Sequence, residues 1–67
     1  MAKVGALVQA IEILRKYKPD IDDRYLNAGH DQIWLPCNWE EVTNFEDQKK
    51  LEELGFFEDE EAVSAFA

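Results

Sequence analysis

The sequence has few of the residues on which small extracellular and metal-binding proteins depend. One cysteine, Cys37, excludes an internal disulfide framework and any zinc site that needs several thiolates. One histidine, three glycines and two prolines leave no histidine cluster and no glycine-rich phosphate loop. No apolar run approaches the ~20 residues that span a bilayer. A single small domain over residues 1–67 must therefore be stabilised by packing or by a partner.

The N-terminal segment lacks the features of a secretory signal. A short apolar stretch begins at Val4, but Gln9 and Glu12 interrupt it before it reaches the length of a signal-peptide core. A chain with one cysteine also suits a reducing compartment. We therefore expect a soluble protein of the cytoplasm.

Basic residues are scarce, and their distribution is uneven. Seven Lys and Arg face fifteen Asp and Glu, for a net charge of −8, so nucleic acid and anionic membranes would repel the protein. Residues 1–30 carry five basic and four acidic residues, whereas residues 31–67 carry two basic and eleven acidic residues. A folded chain of this length is about 28 Å across, and duplex DNA of that length carries about 16 phosphate charges. The second half has eleven acidic and two basic residues, a surplus of nine negative charges, which is within a factor of two of the number of phosphate charges.

The first segment is predicted to be an amphipathic helix over residues 3–17. Its apolar residues recur at helical spacing and form a continuous stripe, which we expect to face the core. The stripe consists of Val4, Leu7, Val8, Ile11 and Leu14. Arg15, Lys16 and Lys18 suit the last turn, because cations complement the negative end of the helix dipole. Pro19 then ends the helix.

A second helix is predicted over about residues 44–54. Thr43 and Glu46 have the spacing of a capping box, in which the glutamate side chain reaches back to the N–H of the threonine. Gly55 stands where a left-handed residue commonly ends a helix.

The other apolar segments predict strands. The alternation around Ile33 predicts a short strand over residues 31–36 that ends at Pro36. Residues 56–67 carry two apolar runs around an acidic tip, which predicts a hairpin. A terminal helix through Glu60 to Phe66 is the alternative, because alanine and glutamate favour helix. We prefer the hairpin, since a lone strand near Ile33 needs pairing partners.

The expected fold class is therefore α+β. Two helices should pack on one face of a small, mainly antiparallel sheet of three strands, in the order helix, strand, helix, strand, strand. Such a chain leaves little volume for a substrate cavity, so we expect no enzyme.

No combination of residues predicts catalysis, a metal site or a cofactor. His30, Asp31 and Cys37 are the candidates for a nucleophilic site, but the predicted strand separates His30 from Cys37 and the sequence has no other histidine. We therefore interpret Cys37 as a small, loosely structured thiol. The three aspartates within residues 20–23 are spaced like the start of a calcium-binding loop. However, Arg24 then occupies the fifth position, where an oxygen ligand is required.

Two tryptophans are candidates for packing or for contact with a partner. We expect Trp34 to cover one face of the sheet. Trp39 lies between Asn38 and Glu40, and for this residue packing and an exposed contact role both remain open.

Nine carboxylates of the second half are candidates to contact a partner, because none has a Lys or Arg four positions away. Glu46 and Glu53 do have such neighbours, Lys50 and Lys49, and should be partly neutralised. The nine candidates, to which we add Trp39, are Asp31, Glu40, Glu41, Asp47, Glu52, Glu58, Asp59, Glu60 and Glu61.

The chain resembles the small acidic proteins that phages and prophages encode. The resemblance is one of size, charge and general pattern, and three stretches carry it. They are Arg15-Lys16-Tyr17-Lys18-Pro19-Asp20, Ala28-Gly29-His30-Asp31-Gln32-Ile33-Trp34-Leu35 and Leu51-Glu52-Glu53-Leu54-Gly55-Phe56-Phe57. The class includes anti-CRISPR proteins, some of which mimic DNA against the surveillance complex. The resemblance assigns no role to any single residue.

This resemblance implies an inhibitor in the cytoplasm of a bacterial host. Its acidic half would occupy a groove lined by Lys and Arg in a nucleic-acid-binding protein, such as a subunit of a CRISPR surveillance complex, and would block DNA binding. The alternative is an interaction module without enzymatic activity, which could form a homodimer through the first helix.

Overall fold

A computed structural model describes residues 3–66 of the protein. Helix α1 spans Val4–Leu14 and helix α2 spans Phe45–Glu53. The four strands are β1 (Asn27–Ala28), β2 (Gln32–Asn38), β3 (Phe57–Asp59) and β4 (Ala62–Phe66). Single turns of 3₁₀ helix at Ile21–Asp23 and Trp39–Glu41 complete the described part of the chain.

The strands form one antiparallel sheet in the order β1-β2-β4-β3. The α+β class and the antiparallel pairing are confirmed. The expected number of three strands is wrong, because β1 adds a fourth. This strand has two exposed residues, Asn27 and Ala28, which pair with Trp34 and Ile33. Two residues are too few for an alternating pattern, so the sequence carries no signal for β1.

One face of the sheet forms the core with both helices. Leu35 of β2 pairs with Val63 of β4, and both side chains are buried. Leu14 of α1 and Leu51 of α2 belong to the same buried cluster. We call the opposite side of the sheet, which carries Trp34, the open face.

Helix α1 is rotated relative to the predicted stripe. Ala10 and Leu14 are buried, and Ile13 packs against the core, whereas Val4 and Val8 are exposed. Ile13, which lies off the predicted stripe, lines a groove together with Asp47 and Lys50 of α2. The prediction that Val4 and Val8 face the core is therefore wrong.

Helix α2 begins one residue later than the predicted capping box. The side chain of Asn44 accepts hydrogen bonds from the backbone N–H of Glu46 (2.8 Å) and of Asp47 (3.4 Å). Asn44 is thus the N-cap, and the predicted box at Thr43 and Glu46 is wrong. Asparagine is at least as good an N-cap as threonine, and the shift costs the helix little.

The end of α2 is the predicted left-handed cap. Gly55 has a φ of +98°, which glycine adopts without steric cost. The N–H of Phe56 donates to the carbonyl of Leu51 (2.9 Å), and that of Gly55 donates to the carbonyl of Glu52 (3.0 Å). These two bonds form a Schellman motif, whose apolar contact is between Leu51 and Phe56, both buried.

Strand β2 continues through Pro36 to Asn38, so the prediction that it ends at Pro36 is wrong. The pairing with β4 shifts register between Leu35 and Asn38. A proline has no N–H to donate, and a bulge is one of the places in a sheet that tolerate it. The irregular pairing around Pro36 therefore lets the strand continue.

The predicted C-terminal hairpin is confirmed, and the alternative of a terminal helix is wrong. Its turn consists of Glu60 and Glu61, whose φ angles are 50° and 71°. Positive φ at both central residues is typical of a type I′ turn, which normally selects Asn-Gly. Two glutamates hold this turn at a steric cost, because in the left-handed conformation the Cβ of a non-glycine residue lies too close to the following carbonyl oxygen.

Asp47 joins α2 to the segment that follows α1 and gives the fold a pH dependence. It forms an ion pair with Lys16 (2.8 Å) and accepts a hydrogen bond from the hydroxyl of Tyr17. The hydrogen bond from Lys16, and then that from Tyr17, lowers the pKa of the Asp47 carboxyl below its ordinary value. A lowered pKa stabilises the folded state above about pH 4, and this stabilisation is lost as the pH falls through the folded value.

We expect Asp47→Asn to lower the free energy of unfolding by about 1 kcal/mol at pH 7, the usual worth of such a hydrogen bond. At pH 2.5 the difference from the unsubstituted protein should be smaller than at pH 7, because the stabilisation by a carboxylate of lowered pKa is lost as the pH falls. Urea unfolding at the two pH values measures this. Asp23→Asn is the control, since Asp23 is exposed. An equal loss for Asp47→Asn at both pH values would contradict the assignment.

Candidate partner-binding surface

Four ion pairs occur within residues 3–66. They are Arg15–Asp22 (3.0 Å), Lys16–Asp47 (2.8 Å), Lys18–Glu41 (2.8 Å) and Arg24–Asp20 (3.0 Å). All four cations lie in the segment after α1, within residues 15–24. The expected pairs Glu46–Lys50 and Lys49–Glu53 are not among them, so that prediction of local neutralisation is wrong.

Two of the nine candidate carboxylates have basic partners after all. Asp47 pairs with Lys16, and Glu41 pairs with Lys18 and accepts a hydrogen bond from the backbone N–H of Asn38 (2.8 Å). The hydrogen bond from Lys18 is the main reason that the pKa of Glu41 is lowered. Counting four positions along one helix misses these pairs, because both lysines lie in the segment after α1.

Four exposed glutamates lie close to the β3–β4 turn. Glu58 is on β3, and Glu60 and Glu61 form the turn. The backbone N–H of Trp39 donates to the carbonyl of Glu61 (2.7 Å), which places Glu40 beside the turn. Together with Asp59 on β3, these residues surround one end of the sheet, which we call the acidic end: Glu40, Glu58, Asp59, Glu60 and Glu61. None of the five takes part in an ion pair within residues 3–66.

Asp59 differs from its neighbours because it belongs to the open face. Its carboxylate accepts hydrogen bonds from the indole N–H of Trp34 (2.9 Å) and from the side-chain amide of Gln32 (2.8 Å). The same amide donates to the hydroxyl of Ser64 (2.8 Å), which is buried beneath this cluster. Two internal donors therefore hold the carboxylate of Asp59 in place.

The other two candidates, Asp31 and Glu52, lie outside the acidic end. Asp31 precedes Gln32, which pairs with Phe66 at one end of β4. The β3–β4 turn joins the other end of β4. Glu52 is exposed on α2. The nine predicted carboxylates therefore do not form one surface.

The two tryptophans occupy different places. Trp39 is half-buried and packs against the core, so packing is the alternative that the structure supports. Trp34 lies on the open face as expected, with its ring so close to Gly29 that a Cβ there would stand 2.9 Å from Cζ3. Phe57 and Phe66 extend this aromatic surface, with ring centroids 5.1 Å apart. The phenylalanine pair was missed, because it joins two strands whose register the sequence does not specify.

His30 and Cys37 do not form a catalytic pair. His30 is exposed in the loop between β1 and β2, whereas Cys37 is 2% exposed and belongs to the core. The interpretation of Cys37 as a loosely structured thiol is therefore wrong. Burial raises the pKa of the Cys37 thiol to about 11. At neutral pH the sulfur is a buried, protonated group.

We expect the Cys37 thiol to react with iodoacetamide about 100-fold more slowly in the native protein than in 6 M guanidinium chloride at the same pH. Access and the fraction of thiolate both fall when a thiol is buried. The measurement is the mass increase over time in the two conditions. Comparable rates would show that Cys37 is accessible in the native state.

The turn of the acidic end permits a test of its strain. Changing Glu60-Glu61 to Asn-Gly should raise the free energy of unfolding by about 1 kcal/mol, because both residues suit a type I′ turn. Thermal unfolding followed by circular dichroism measures the gain. An unchanged or lower melting temperature would show that the two glutamates do not strain the turn.

Within residues 3–66, no three His, Cys, Asp or Glu residues are placed to hold a metal ion. Neither of the described helices is long and apolar enough to cross a membrane. No family model, no curated protein and no solved structure matches the chain.

Proposed function

We propose that this protein is an inhibitor that binds the basic, nucleic-acid-binding groove of another protein and presents carboxylates where phosphates would lie. The proposed target is a bacterial host complex, and the proposed role is that of an anti-CRISPR protein carried by a phage. The protein itself would contact neither nucleic acid nor membrane, because its net charge of −8 repels both.

The distribution of ion pairs carries this proposal. The four cations within residues 15–24 form ion pairs inside the protein, with Asp20, Asp22, Glu41 and Asp47. Among residues 3–66, no cation pairs with the five carboxylates of the acidic end. Exposed carboxylates in such a cluster repel one another. Contact with a basic surface lowers their electrostatic free energy and so favours binding.

The backbone of the turn gives independent support. Glu60 and Glu61 hold positive φ angles, although Asn-Gly would form the same turn with less strain. Residues in strained conformations are concentrated at functional sites, and here the strained residues are the ones at the tip of the hairpin. If this tip contacts a partner, the charge of the two glutamates is needed for binding even though they make the turn less stable.

An interaction module that docks through the open face is the second candidate. The aromatic rings of Trp34, Phe57 and Phe66 favour it, since aromatic residues are frequent in binding hot spots. The two candidates differ in how binding responds to salt. A contact dominated by exposed charges is screened by salt, whereas burial of aromatic rings is not.

Two measurements test the proposal. Capture of the host target on immobilised protein should weaken at least tenfold between 50 and 300 mM NaCl. Expression of the protein in a bacterium whose CRISPR system targets a phage should restore plaque formation by that phage. Capture that is insensitive to salt, with no gain in plaques, would favour the interaction module.

A further inference from the structure

A carboxylate on the open face is held in one position by neighbouring side chains. Oδ2 of Asp59 accepts hydrogen bonds from the indole N–H of Trp34 (2.9 Å) and from the side-chain amide of Gln32 (2.8 Å). The same amide donates to the hydroxyl of Ser64 (2.8 Å), and this hydroxyl donates to the backbone carbonyl of Ile33 (2.7 Å). The chain of hydrogen bonds therefore fixes the Asp59 carboxylate to the backbone of β2.

One oxygen of this carboxylate is available to a donor from outside. Both internal hydrogen bonds end on Oδ2, and within residues 3–66 no hydrogen bond and no ion pair reaches Oδ1 of Asp59. Every buried side-chain oxygen or nitrogen in the described part of the chain has a hydrogen-bond partner. Oδ1, which has none there, is therefore open to solvent.

Aromatic rings lie beside this carboxylate. Trp34 donates its indole N–H to Oδ2, so the edge of its ring is next to Asp59. Phe57 lies two residues before Asp59 on β3, and alternate residues of a strand point to the same face. Phe66, whose ring centroid is 5.1 Å from that of Phe57, is 54% exposed. The open face thus combines a fixed carboxylate with accessible aromatic surface.

Arginine is the side chain whose chemistry suits both parts of this surface. Its guanidinium is planar and always charged, donates hydrogen bonds to carboxylates and stacks on aromatic rings. A carboxylate that is already held in place binds such a cation with a smaller loss of conformational entropy. An uncharged apolar partner would instead cover Oδ1 without giving it a donor, and burial of a carboxylate without a partner is costly.

We propose that the open face binds an arginine side chain of a partner protein, with the guanidinium hydrogen-bonded to Oδ1 of Asp59 and stacked against the aromatic rings beside it. This inference deepens the proposed function, on which it rests for the basic character of the partner. Asp59 belongs to both the acidic end and the open face. One arginine of a basic groove would therefore engage both surfaces at once.

A nuclear magnetic resonance titration with a short peptide tests the proposal. The probe is a peptide of alternating glycine and arginine with both ends blocked, added to isotope-labelled protein. It should shift the indole N–H resonance of Trp34 in a saturable way. Citrulline in place of arginine keeps the planar shape but removes the charge, and it should raise the dissociation constant at least tenfold. Lysine should raise it at least threefold, because an ammonium group has no plane to stack.

Asp59→Asn separates the binding of arginine from the structure of the open face. The amide oxygen of asparagine can accept both hydrogen bonds that now end on Oδ2, so circular dichroism should show an unchanged fold. Its NH₂ group replaces Oδ1 and cannot accept a hydrogen bond from a guanidinium. The variant should therefore bind the arginine peptide at least tenfold more weakly.

Glu58→Gln is the matched control. It removes one carboxylate from the adjacent position of β3, which pairs with the buried Val63 and points away from the open face. This variant should change the affinity for the arginine peptide less than twofold. Equal losses for Asp59→Asn and Glu58→Gln would overturn the proposal, because only the overall charge would then attract the peptide.

Two results with the unsubstituted protein would also overturn the proposal. One is an equal affinity for the arginine peptide and for either its citrulline or its lysine counterpart. The other is a Trp34 resonance that does not move with 5 mM arginine peptide. Because the probe is a peptide and not the host target, these results are independent of the capture and plaque measurements, and failure of the proposed function is distinguishable from failure of this site.

Discussion

Replacing Phe56 with alanine should remove about 3–5 kcal/mol from the free energy of unfolding. Phe56 is among the largest fully buried side chains, and it packs directly after the Schellman motif that ends α2. Proteins of this size have only about 3–10 kcal/mol of stability in total. The variant should therefore be partly unfolded at 25 °C, and urea unfolding followed by circular dichroism measures the loss.

Phe45→Ala is the control for this prediction, because it deletes the same ring from an exposed position on α2. It should change the free energy of unfolding by no more than about 0.5 kcal/mol. Equal losses for the two variants would show that Phe56 does not have the central place in the core that the structure gives it.

Charge reversal at the acidic end should weaken binding to the target at least 100-fold. The variant is Glu58→Lys with Glu60→Lys and Glu61→Lys. Each reversal replaces an attraction to a basic groove with a repulsion, and close charge pairs at interfaces are coupled by about 1.5–7 kcal/mol. Association should slow in particular, because long-range attraction speeds encounter. Surface plasmon resonance with the captured target measures both rates.

The matched control reverses three exposed carboxylates elsewhere: Glu12, Asp23 and Glu53. Both triple variants change the net charge of the protein from −8 to −2. The control should weaken binding less than tenfold. If the two variants weaken binding equally while both stay folded, only the overall charge matters and the acidic end is not the contact surface.

Local signals in the sequence predicted part of this fold. Gly55 was recognisable as a cap because many helices end in a residue with left-handed backbone conformation, and that residue is usually glycine. The hairpin was predicted because a single strand around Ile33 needs neighbouring strands to pair with. Pro36 misled the prediction of β2, since the bulge that accommodates it depends on the register with β4.

The uneven charge was visible in the sequence, but its place on the surface was not. Glu41 and Asp47 became neutralised because Lys18 and Lys16 approach them from another part of the chain. Asp31 precedes β2 and therefore lies at the end of the sheet opposite the β3–β4 turn. The exposure of Val8 likewise depends on how α1 is oriented against the core, which no periodicity within α1 specifies.

Mutual exclusion from the target is the most direct test of nucleic-acid mimicry. The captured target is loaded with fluorescent duplex DNA, and the protein is then titrated in while fluorescence anisotropy is followed. The protein should displace the DNA completely, and the concentration needed for half displacement should rise in proportion to the DNA present. If DNA and the protein instead bind the target together in a ternary complex, the acidic end does not occupy the nucleic-acid-binding groove.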